Sequence, residues 1–263
     1  MKLLIISHNP ITTFDAMGKT FCSLFSVFKQ EEISQLYIYP TLPDIDRCHS
    51  YFRITDKDVL KSYFKFKVHG RQITSREIDK NKHTLFENQK DEAIYRNRKN
   101  KRPIRMLLRD MMWKYSHWYN KELSNWLKEQ KFTHIFVAPG SAKFLYDIAL
   151  KISQKLHLPI ITYICDEYYF VKKAKTFFRK IQQKSLQRKI KCLLENTSYI
   201  ITICDELKEA YSNAFSCPAK TIMTGSSFPI VKNAIVKADV FSLNYMGNIR
   251  CNRYRSLVEI GQA

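Results

Sequence analysis

The sequence predicts an α/β protein in which a parallel β-sheet carries helices on both of its faces. Short, continuous apolar runs recur along the chain, as strands buried on both faces require. Amphipathic stretches, with apolar residues at three- and four-residue spacing, lie between these runs. Hydrophobic residues make up 45% of the chain, which is enough to fill a sizeable core. This alternation is typical of a doubly wound, Rossmann-like sheet.

The alternation begins at the N-terminus. Residues 3–7 form an apolar run that predicts the first strand, and a polar loop follows it as far as Gly18. Residues 20–28 predict a helix with a phenylalanine-rich face, and residues 33–39 predict a second strand that Pro40 ends. A strand, a helix and a second strand in this order are the usual start of a parallel sheet.

The centre of the chain is less regular. Residues 41–100 hold scattered charges and one helical pattern, at 56–64. Residues 104–127 predict a long amphipathic helix with one break. Its recurring apolar positions are Ile104, Leu107, Leu108, Met111, Tyr115, Trp118, Tyr119, Leu123 and Trp126. We expect the three tryptophans of this segment to pack in the core.

From residue 133 onward the alternation is regular. The predicted strands are 133–138, 159–165, 199–204, 220–224 and 243–246. The predicted helices are 141–157, 171–194 and 205–215. Asp205 stands where a side-chain oxygen would cap the last of these helices. We expect all strands up to residue 224 to join one parallel sheet.

The chain is strongly basic. Lys and Arg total 44 against 24 Asp and Glu, which gives a net charge of +20 and a pI near 9.6. A surplus of this size repels itself unless an anionic partner is near, such as an anionic membrane surface, a phosphorylated substrate or a nucleic acid. The aromatic residues follow helical spacing instead of lining a basic groove, which argues against a nucleic acid.

The motifs of several common sites do not occur in the sequence. The seven cysteines form no C-x-x-C pair, so we predict free thiols in a reducing compartment and no metal site. Gly18-Lys19-Thr20 matches the end of a phosphate loop, but Thr13 stands where that loop needs a glycine, which excludes an ATPase of this type. No G-x-G-x-x-G occurs either, and we predict no cofactor.

Two basic segments without acidic residues account for much of the charge. Residues 96–105 hold six Lys or Arg, and residues 172–191 hold nine. The second segment also has an apolar stripe, so it predicts either a helix that lies on a membrane surface or a packed helix with a solvated basic face. The candidate membrane-contact residues are Lys172, Lys173, Arg179 and Lys180.

The sequence also predicts where the protein resides. The N-terminal apolar run is too short for a signal peptide. No run approaches the ~20 apolar residues that a spanning helix needs. We therefore expect a cytoplasmic protein that is peripheral on the inner face of the membrane.

Five residues lie where ligands of open α/β sheets bind, beyond the carboxyl ends of the strands. His8 follows the first predicted strand and is either a cleft residue or a structural one. Gly18 begins the next helix, where it either admits an anion or a sugar to the backbone or permits a loop turn. Gly140 follows the third strand. Asp166 and Glu167 follow the fourth and either orient sugar hydroxyls or act as a base, or form a solvated pair or helix cap.

Four stretches together resemble a known family. They are residues 2–8 with 17–20, residues 133–140, residues 199–211 and residues 245–253. In order and spacing they resemble glycosyltransferases of the GT-B fold, in particular the retaining family 4 group that builds bacterial surface polysaccharides. Members of that family have two Rossmann-like domains facing a cleft, the first binding the acceptor and the second the nucleotide-sugar.

The resemblance implies an acceptor-side domain at residues 1–225, a linker at 226–242 and the start of a truncated donor-binding domain at 243–263. The family's donor half carries two glutamates spaced eight apart, and no such pair occurs in this chain. Asn follows the glycine where the family often has Arg or Lys. Arg250 or Arg253 is therefore the candidate for binding the donor diphosphate.

The resemblance predicts the acceptor-binding half of a glycosyltransferase that transfers a sugar from a nucleotide-sugar to a lipid-linked glycan. We expect this half to bind the donor weakly and to be inactive alone, with a separate donor-binding chain as a candidate partner. Two alternatives stay open. One is a non-enzymatic membrane-docking subunit that pairs with a donor-binding chain, and the other is a basic nucleic-acid-binding protein.

Overall fold

The computed structural model describes residues 1–65, 70–80, 103–171, 176–225, 245 and 253–262. The chain forms two compact units, Met1–Ser226 and Ser227–Ala263. The first unit holds a sheet with its helices, and the second contributes one described helix. The strand predicted at 243–246 lies outside the described residues.

A sheet of eight strands organises the described part of the first unit. The strands are β1 (Leu3–Ser7), β2 (Ile33–Tyr37), β3 (Ser50–Arg53), β4 (Arg71–Ile73), β5 (His134–Ala138), β6 (Ile160–Ile164), β7 (Thr197–Thr202) and β8 (Ala219–Thr221). Their order is β4-β3-β2-β1-β5-β6-β7-β8, and every neighbouring pair is parallel except β3 and β4. The predicted α/β class with a parallel, Rossmann-like sheet is confirmed.

The described helices belong to the first unit with the sheet, except the last one, which belongs to the second unit. They are α1 (Ala16–Leu24), α2 (Asp56–Lys65), α3 (Ser75–Lys80), α4 (Pro103–Tyr115), α5 (Lys121–Glu129), α6 (Lys143–Leu156), α7 (Phe177–Leu194), α8 (Asp205–Phe215) and α9 (Arg253–Gln262). The break predicted within residues 104–127 is confirmed, since α4 and α5 are separate helices. None of the described helices has the length and apolarity needed to cross a lipid bilayer.

Two hydrophobic cores lie on opposite faces of the sheet, because successive side chains of a strand point to opposite sides. Leu3 and Ile5 of β1 pack with residues of α1 and α3. Leu4 and Ile6 pack with residues of α2 and of α4 to α8. The three tryptophans are buried in this second core, as predicted. Helices therefore cover both faces of the sheet.

The register of the strands brings their carboxyl ends to one edge. Leu3 of β1 lies opposite Ile33 of β2 on one side and opposite His134 of β5 on the other. From β1 the chain first adds β2, β3 and β4 on one side of β1. It then adds β5 to β8 on the other side of β1, so the direction of strand addition reverses between β1 and β5. The crevice at such a reversal is where open α/β sheets bind their ligands.

The start of α8 corrects one detail of the sequence analysis. Asp205 is the first helical residue, and Cys204 occupies the N-cap position that Asp205 was expected to fill. The Asp205 carboxylate instead accepts hydrogen bonds from Lys208 Nζ at 2.8 Å and from Thr221 Oγ1 at 2.6 Å. The Asp205 carboxylate therefore links α8 to β8. A capping side chain would instead have accepted a hydrogen bond from the backbone of its own helix.

Candidate functional site

Three of the predicted cleft residues lie at the carboxyl edge of the sheet. His8 directly follows β1, and Gly140 and Asp166 follow β5 and β6. The pairing of Ser7 with Ala138 and of Val137 with Thr162 aligns these strand ends. The three residues thus lie along one edge of the sheet, after the neighbouring strands β1, β5 and β6. Their role in binding stays a prediction.

His8 takes part in a polar network that spans three elements. Its Nε2 lies 3.2 Å from Arg109 Nη2 on α4, and its Nδ1 lies 3.1 Å from Asn9 Oδ1. Because a guanidinium can only donate, Nε2 accepts, and the ring proton is on Nδ1. Arg109 Nε in turn lies 3.0 and 2.9 Å from the two carboxylate oxygens of Asp56, which also accepts from Trp113 Nε1 at 2.8 Å.

Aromatic rings fix the position of this network. The Arg109 guanidinium carbon lies 4.6 Å from the centre of the Phe144 ring, and Phe144 stacks on Trp113 at 4.4 Å with 9° between the planes. The His8 ring meets Tyr39 edge-on at 4.6 Å. A guanidinium that lies on an aromatic face and pairs with a carboxylate has a fixed direction for its donors. Arg109 is therefore a positioned cation beside the crevice.

The sequence analysis did not find Arg109, Asp56 or Phe144. Arg109 lies off the apolar positions of the helix predicted at 104–127, and Asp56 begins the helical pattern at 56–64, to which the sequence assigns no role. These residues are far apart in the chain, and no spacing rule within one element relates them. Only the packing of α2, α4 and α6 brings them together.

Gly18 is explained by the close approach of the preceding loop. A Cβ atom at this position would lie 2.5 Å from the backbone oxygen of Thr12 and 2.7 Å from its backbone nitrogen. The Gly18 N–H donates to the N-cap carboxylate of Asp15 at 2.7 Å. This geometry gives Gly18 a packing role, since a residue without a side chain admits the close approach of the loop at Thr12 to α1. Its role in ligand binding stays a prediction.

Replacing Gly18 by Ala is expected to lower the free energy of unfolding by about 1–3 kcal/mol, because the methyl group meets backbone atoms that have little room to move. Thermal or urea unfolding measures the loss. Gly261→Ala is the control, since a Cβ there meets nothing within 4 Å and alanine favours the helix. A stable Gly18→Ala protein would show that the loop at Thr12 shifts readily.

A second set of polar groups surrounds a pocket at the ends of β5 and β6, lined by Gly140 and Asp166 among others. Gly140 has a left-handed φ of 54°, and its carbonyl accepts from Tyr146 Oη at 2.7 Å. Asp166 accepts from Tyr168 Oη at 3.0 Å, and Glu167 accepts from Tyr211 Oη at 3.2 Å. The pocket lining therefore combines one carboxylate, that of Asp166, with the phenols of Tyr168 and Tyr211, and such groups can bond to hydroxyl groups.

Burial keeps the phenols and the thiol around this pocket protonated. It raises the pKa of Tyr163 to about 12 and that of the Cys165 thiol to about 11, with the Asp166 charge adding to both shifts. Burial likewise raises the pKa values of Tyr168 and Tyr211 above that of an exposed phenol. At neutral pH these phenols are donors, and the thiol is not a nucleophile.

The buried residues of the candidate membrane helix α7 lie in its C-terminal half. Ile190, Leu193 and Leu194 are buried, whereas Phe177 and Phe178 at the start of the helix are exposed. Arg179 and Lys180 are exposed beside these phenylalanines, and Lys172 and Lys173 lie outside the described residues. The described part of this basic segment thus leaves cations and aromatic rings together on the surface.

The remaining predicted site residues lie in the second unit. Arg250 is outside the described residues, and Arg253 is the first residue of α9, without a described side chain. Among the side chains that the structure describes, no group of three or more His, Cys, Asp or Glu is placed to hold a metal ion. The six described cysteines are free thiols.

Comparison with solved structures finds several weak likenesses to this chain. No family model and no curated protein matches the sequence. One similar solved structure is UGT2 of Phytolacca americana, complexed with UDP-2fluoro-glucose and pterostilbene, with 10% identity, a TM-score of 0.42, and coverage of 86% of this chain and 55% of that one. Another is an α,α-trehalose-phosphate synthase (UDP-forming) from Burkholderia vietnamiensis, with 10% identity, a TM-score of 0.35, and coverage of 81% and 42%. The chain spans about half the length of these proteins.

Proposed function

We propose that this chain is the acceptor-side half of a glycosyltransferase, which transfers a sugar from a nucleotide-sugar to a membrane-linked glycan in surface polysaccharide synthesis. The observation that carries the proposal is the reversal of the strand order between β1 and β5, with His8 after β1 and Arg109 bonded to it. Ligands of open α/β sheets bind at such a place. The stretches 199–211 and 245–253 resemble GT-B enzymes, and from this resemblance we infer that the reaction is glycosyl transfer.

The chemistry asks for two kinds of group. Transfer breaks the bond between the sugar and the nucleotide diphosphate and forms a bond to an acceptor hydroxyl, whose proton must leave. On the acceptor side, Arg109 would donate to a hydroxyl or an anionic group of the glycan. Asp166 and Glu167 would accept from sugar hydroxyls, with Tyr168 and Tyr211 as neighbouring donors. His8 would help to orient the Arg109 guanidinium.

The donor side of the reaction belongs to the second unit or to a partner. Arg250 and Arg253 are the candidates for binding the donor diphosphate, and a separate donor-binding chain is the candidate partner. We place the protein on the cytoplasmic side, peripheral on the inner face of the membrane. The basic surface of α7 supports this placement, because anionic lipids attract such a surface.

A second candidate function is a non-enzymatic subunit that docks a donor-binding chain to the membrane. The exposed Phe177 and Phe178 beside Arg179 and Lys180 favour it, since this surface needs no catalytic group to act. A nucleic-acid-binding protein is the third candidate and stands on net charge alone. Retention on anionic vesicles and on oligonucleotides, compared across salt, separates these two.

We expect the purified chain to bind a lipid-linked saccharide acceptor and to show no detectable turnover until a donor-binding half is supplied, because donor and acceptor must meet in one oriented site. A panel of nucleotide-sugars and acceptors, with and without that half, tests this. His8→Gln should weaken acceptor binding, whereas His117→Gln, in an exposed loop, should not. Robust transfer by the chain alone, or no binding of any acceptor, would refute the proposal.

A further inference from the structure

Helix α4 turns an apolar side to the solvent. Ile104, Leu108, Met111 and Tyr115, which we call the outer stripe, are each between 53% and 61% exposed. With about 100° between successive helical residues, these four positions fall on one face. The described part of α4 therefore has a continuous apolar face that the fold leaves uncovered.

The opposite face of α4 carries both charged and apolar side chains and points into the protein. Arg109 pairs with Asp56 at 2.9 Å, and Asp110 pairs with Lys143 at 2.8 Å. Trp113, on the same inner side, is buried. Helix α4 thus has apolar residues on two sides, of which one packs on the core and the other, the outer stripe, faces the solvent. A contiguous exposed apolar face of this kind marks an interaction surface.

Helix α2 extends this surface. Tyr63 Oη donates to the backbone oxygen of Met112 at 2.6 Å, which fixes α2 beside α4. Leu60 and Phe64 of α2 are exposed next to Tyr63. The outer stripe, together with Leu60 and Phe64, forms an apolar patch that spans two helices. Apolar residues scattered singly over a surface form no such patch.

On the described residues of α2 and α4, the exposed charges around the outer stripe have one sign. Arg105 and Lys114 on α4, and Lys57 and Lys61 on α2, are exposed. The acidic residues of the two helices are engaged elsewhere: Asp56 binds Arg109, Asp58 binds Thr55, and Asp110 binds Lys143. An apolar face rimmed by cations is complementary to a bilayer with anionic headgroups.

We propose that the outer stripe of α4, with Leu60 and Phe64, inserts into the interfacial region of an anionic bilayer. A second copy of the chain fits less well, because a two-fold contact through this face would bring the cations of the two copies together. The inference deepens the proposed function and rests on it for the kind of partner. It concerns a different helix from α7 and a different force, since α7 acts through charge and the outer stripe through apolar burial.

The test compares neutral substitutions on the full chain. Leu108→Gln/Met111→Gln removes apolar surface without changing charge, and both positions keep a good helix former. Phe14→Gln/Val27→Gln is the matched control, because these residues are exposed on other elements. Co-sedimentation with vesicles of equal phosphatidylcholine and phosphatidylglycerol is measured in 0.1 M and 1 M NaCl. We expect the stripe variant to bind at least about tenfold more weakly at both salt concentrations, and the control to bind as the original chain does.

Three results would overturn the inference. Unchanged vesicle binding of the stripe variant would remove the outer stripe from the interaction. A marked fall in its melting temperature would mean that the stripe packs within the chain. Loss of a dimer in light scattering, with vesicle binding unchanged, would assign the face to a second copy. Transfer to a water-soluble acceptor analogue, with a donor half supplied, tests the proposed function separately, because it needs no membrane.

Discussion

Lys143→Met is expected to lower the free energy of unfolding by about 3–5 kcal/mol at pH 7, the usual cost of removing one partner of a buried ion pair. Lys143 Nζ lies 2.8 Å from Asp110 Oδ2, and the two side chains are only 6% and 20% exposed. The same ammonium lies 3.2 Å from Ser185 Oγ. Methionine fills a similar volume, so the variant leaves the Asp110 carboxylate without its counter-charge.

The deficit of this variant should shrink as the pH falls. Burial raises the pKa of Asp110, and the Lys143 charge opposes that rise. Without Lys143 the pKa in the folded state rises further above its unfolded value of about 3.9. The folded variant then binds the proton more readily than the unfolded chain, so its stability falls as the pH rises through the interval between the two pKa values. Urea unfolding at pH 7 and at pH 4.5 measures the difference.

Two further proteins make the comparison specific. Asp110→Asn in the Lys143→Met background should recover most of the loss at pH 7, because no charge is then buried alone. Lys19→Met, at an exposed position of α1, should change stability by less than about 0.5 kcal/mol. A deficit of the same size at both pH values would show that lost packing, and not the Asp110 charge, is responsible.

The inner strands of the sheet could be predicted because their signal is local. A parallel strand with both faces buried is a continuous apolar run, and β1, β5 and β6 each have one. The strands β3 and β4, at one end of the sheet, were missed. Both are short, and β4 contains Arg71 and Gln72. β4 is the edge strand, because it pairs only with β3, antiparallel, whereas β3 also pairs with β2.

Helix α4 shows what periodicity leaves undecided. Apolar residues at helical spacing predicted the helix, but they do not identify the buried face, and the outer stripe faces the solvent. Arg109 and Asp110 can point inward because Asp56 and Lys143, from other helices, neutralise them there. Such pairing depends on the tertiary structure and has no signal within the segment itself.

Some residues of the candidate site could likewise be predicted from the sequence and others could not. His8, Gly140 and Asp166 could be predicted, because the residue after a parallel strand always lies at the carboxyl edge of the sheet. The guanidinium of Arg109 could not, since it reaches this edge from the middle of a helix. The topology of the sheet fixes the position of a residue at a strand end. The position of a side chain that reaches this edge from a helix depends on how the helix packs.

Changing Lys172, Lys173, Arg179 and Lys180 to Gln is expected to release the chain from anionic vesicles at low salt. Each cation near such a surface contributes about 1 kcal/mol, so the four together amount to roughly a thousandfold in binding. Arg179 and Lys180 are exposed on α7, whose C-terminal half holds it to the core. The substitution should therefore change the surface charge and leave the fold intact, which circular dichroism can verify.

The matched control removes the same charge elsewhere, by changing Lys2, Lys19, Lys128 and Lys220 to Gln, all exposed on other elements. If binding depended on net charge alone, the two variants would lose it equally. Salt separates the forces, because the Debye length falls from about 10 Å at 0.1 M to about 3 Å at 1 M and an attraction through α7 is screened accordingly. We expect the α7 variant at 0.1 M salt to bind vesicles as weakly as the original chain does at 1 M. The vesicle binding that remains in both cases is due to apolar contact. Binding that the α7 substitutions leave unchanged would exclude this helix as the electrostatic contact.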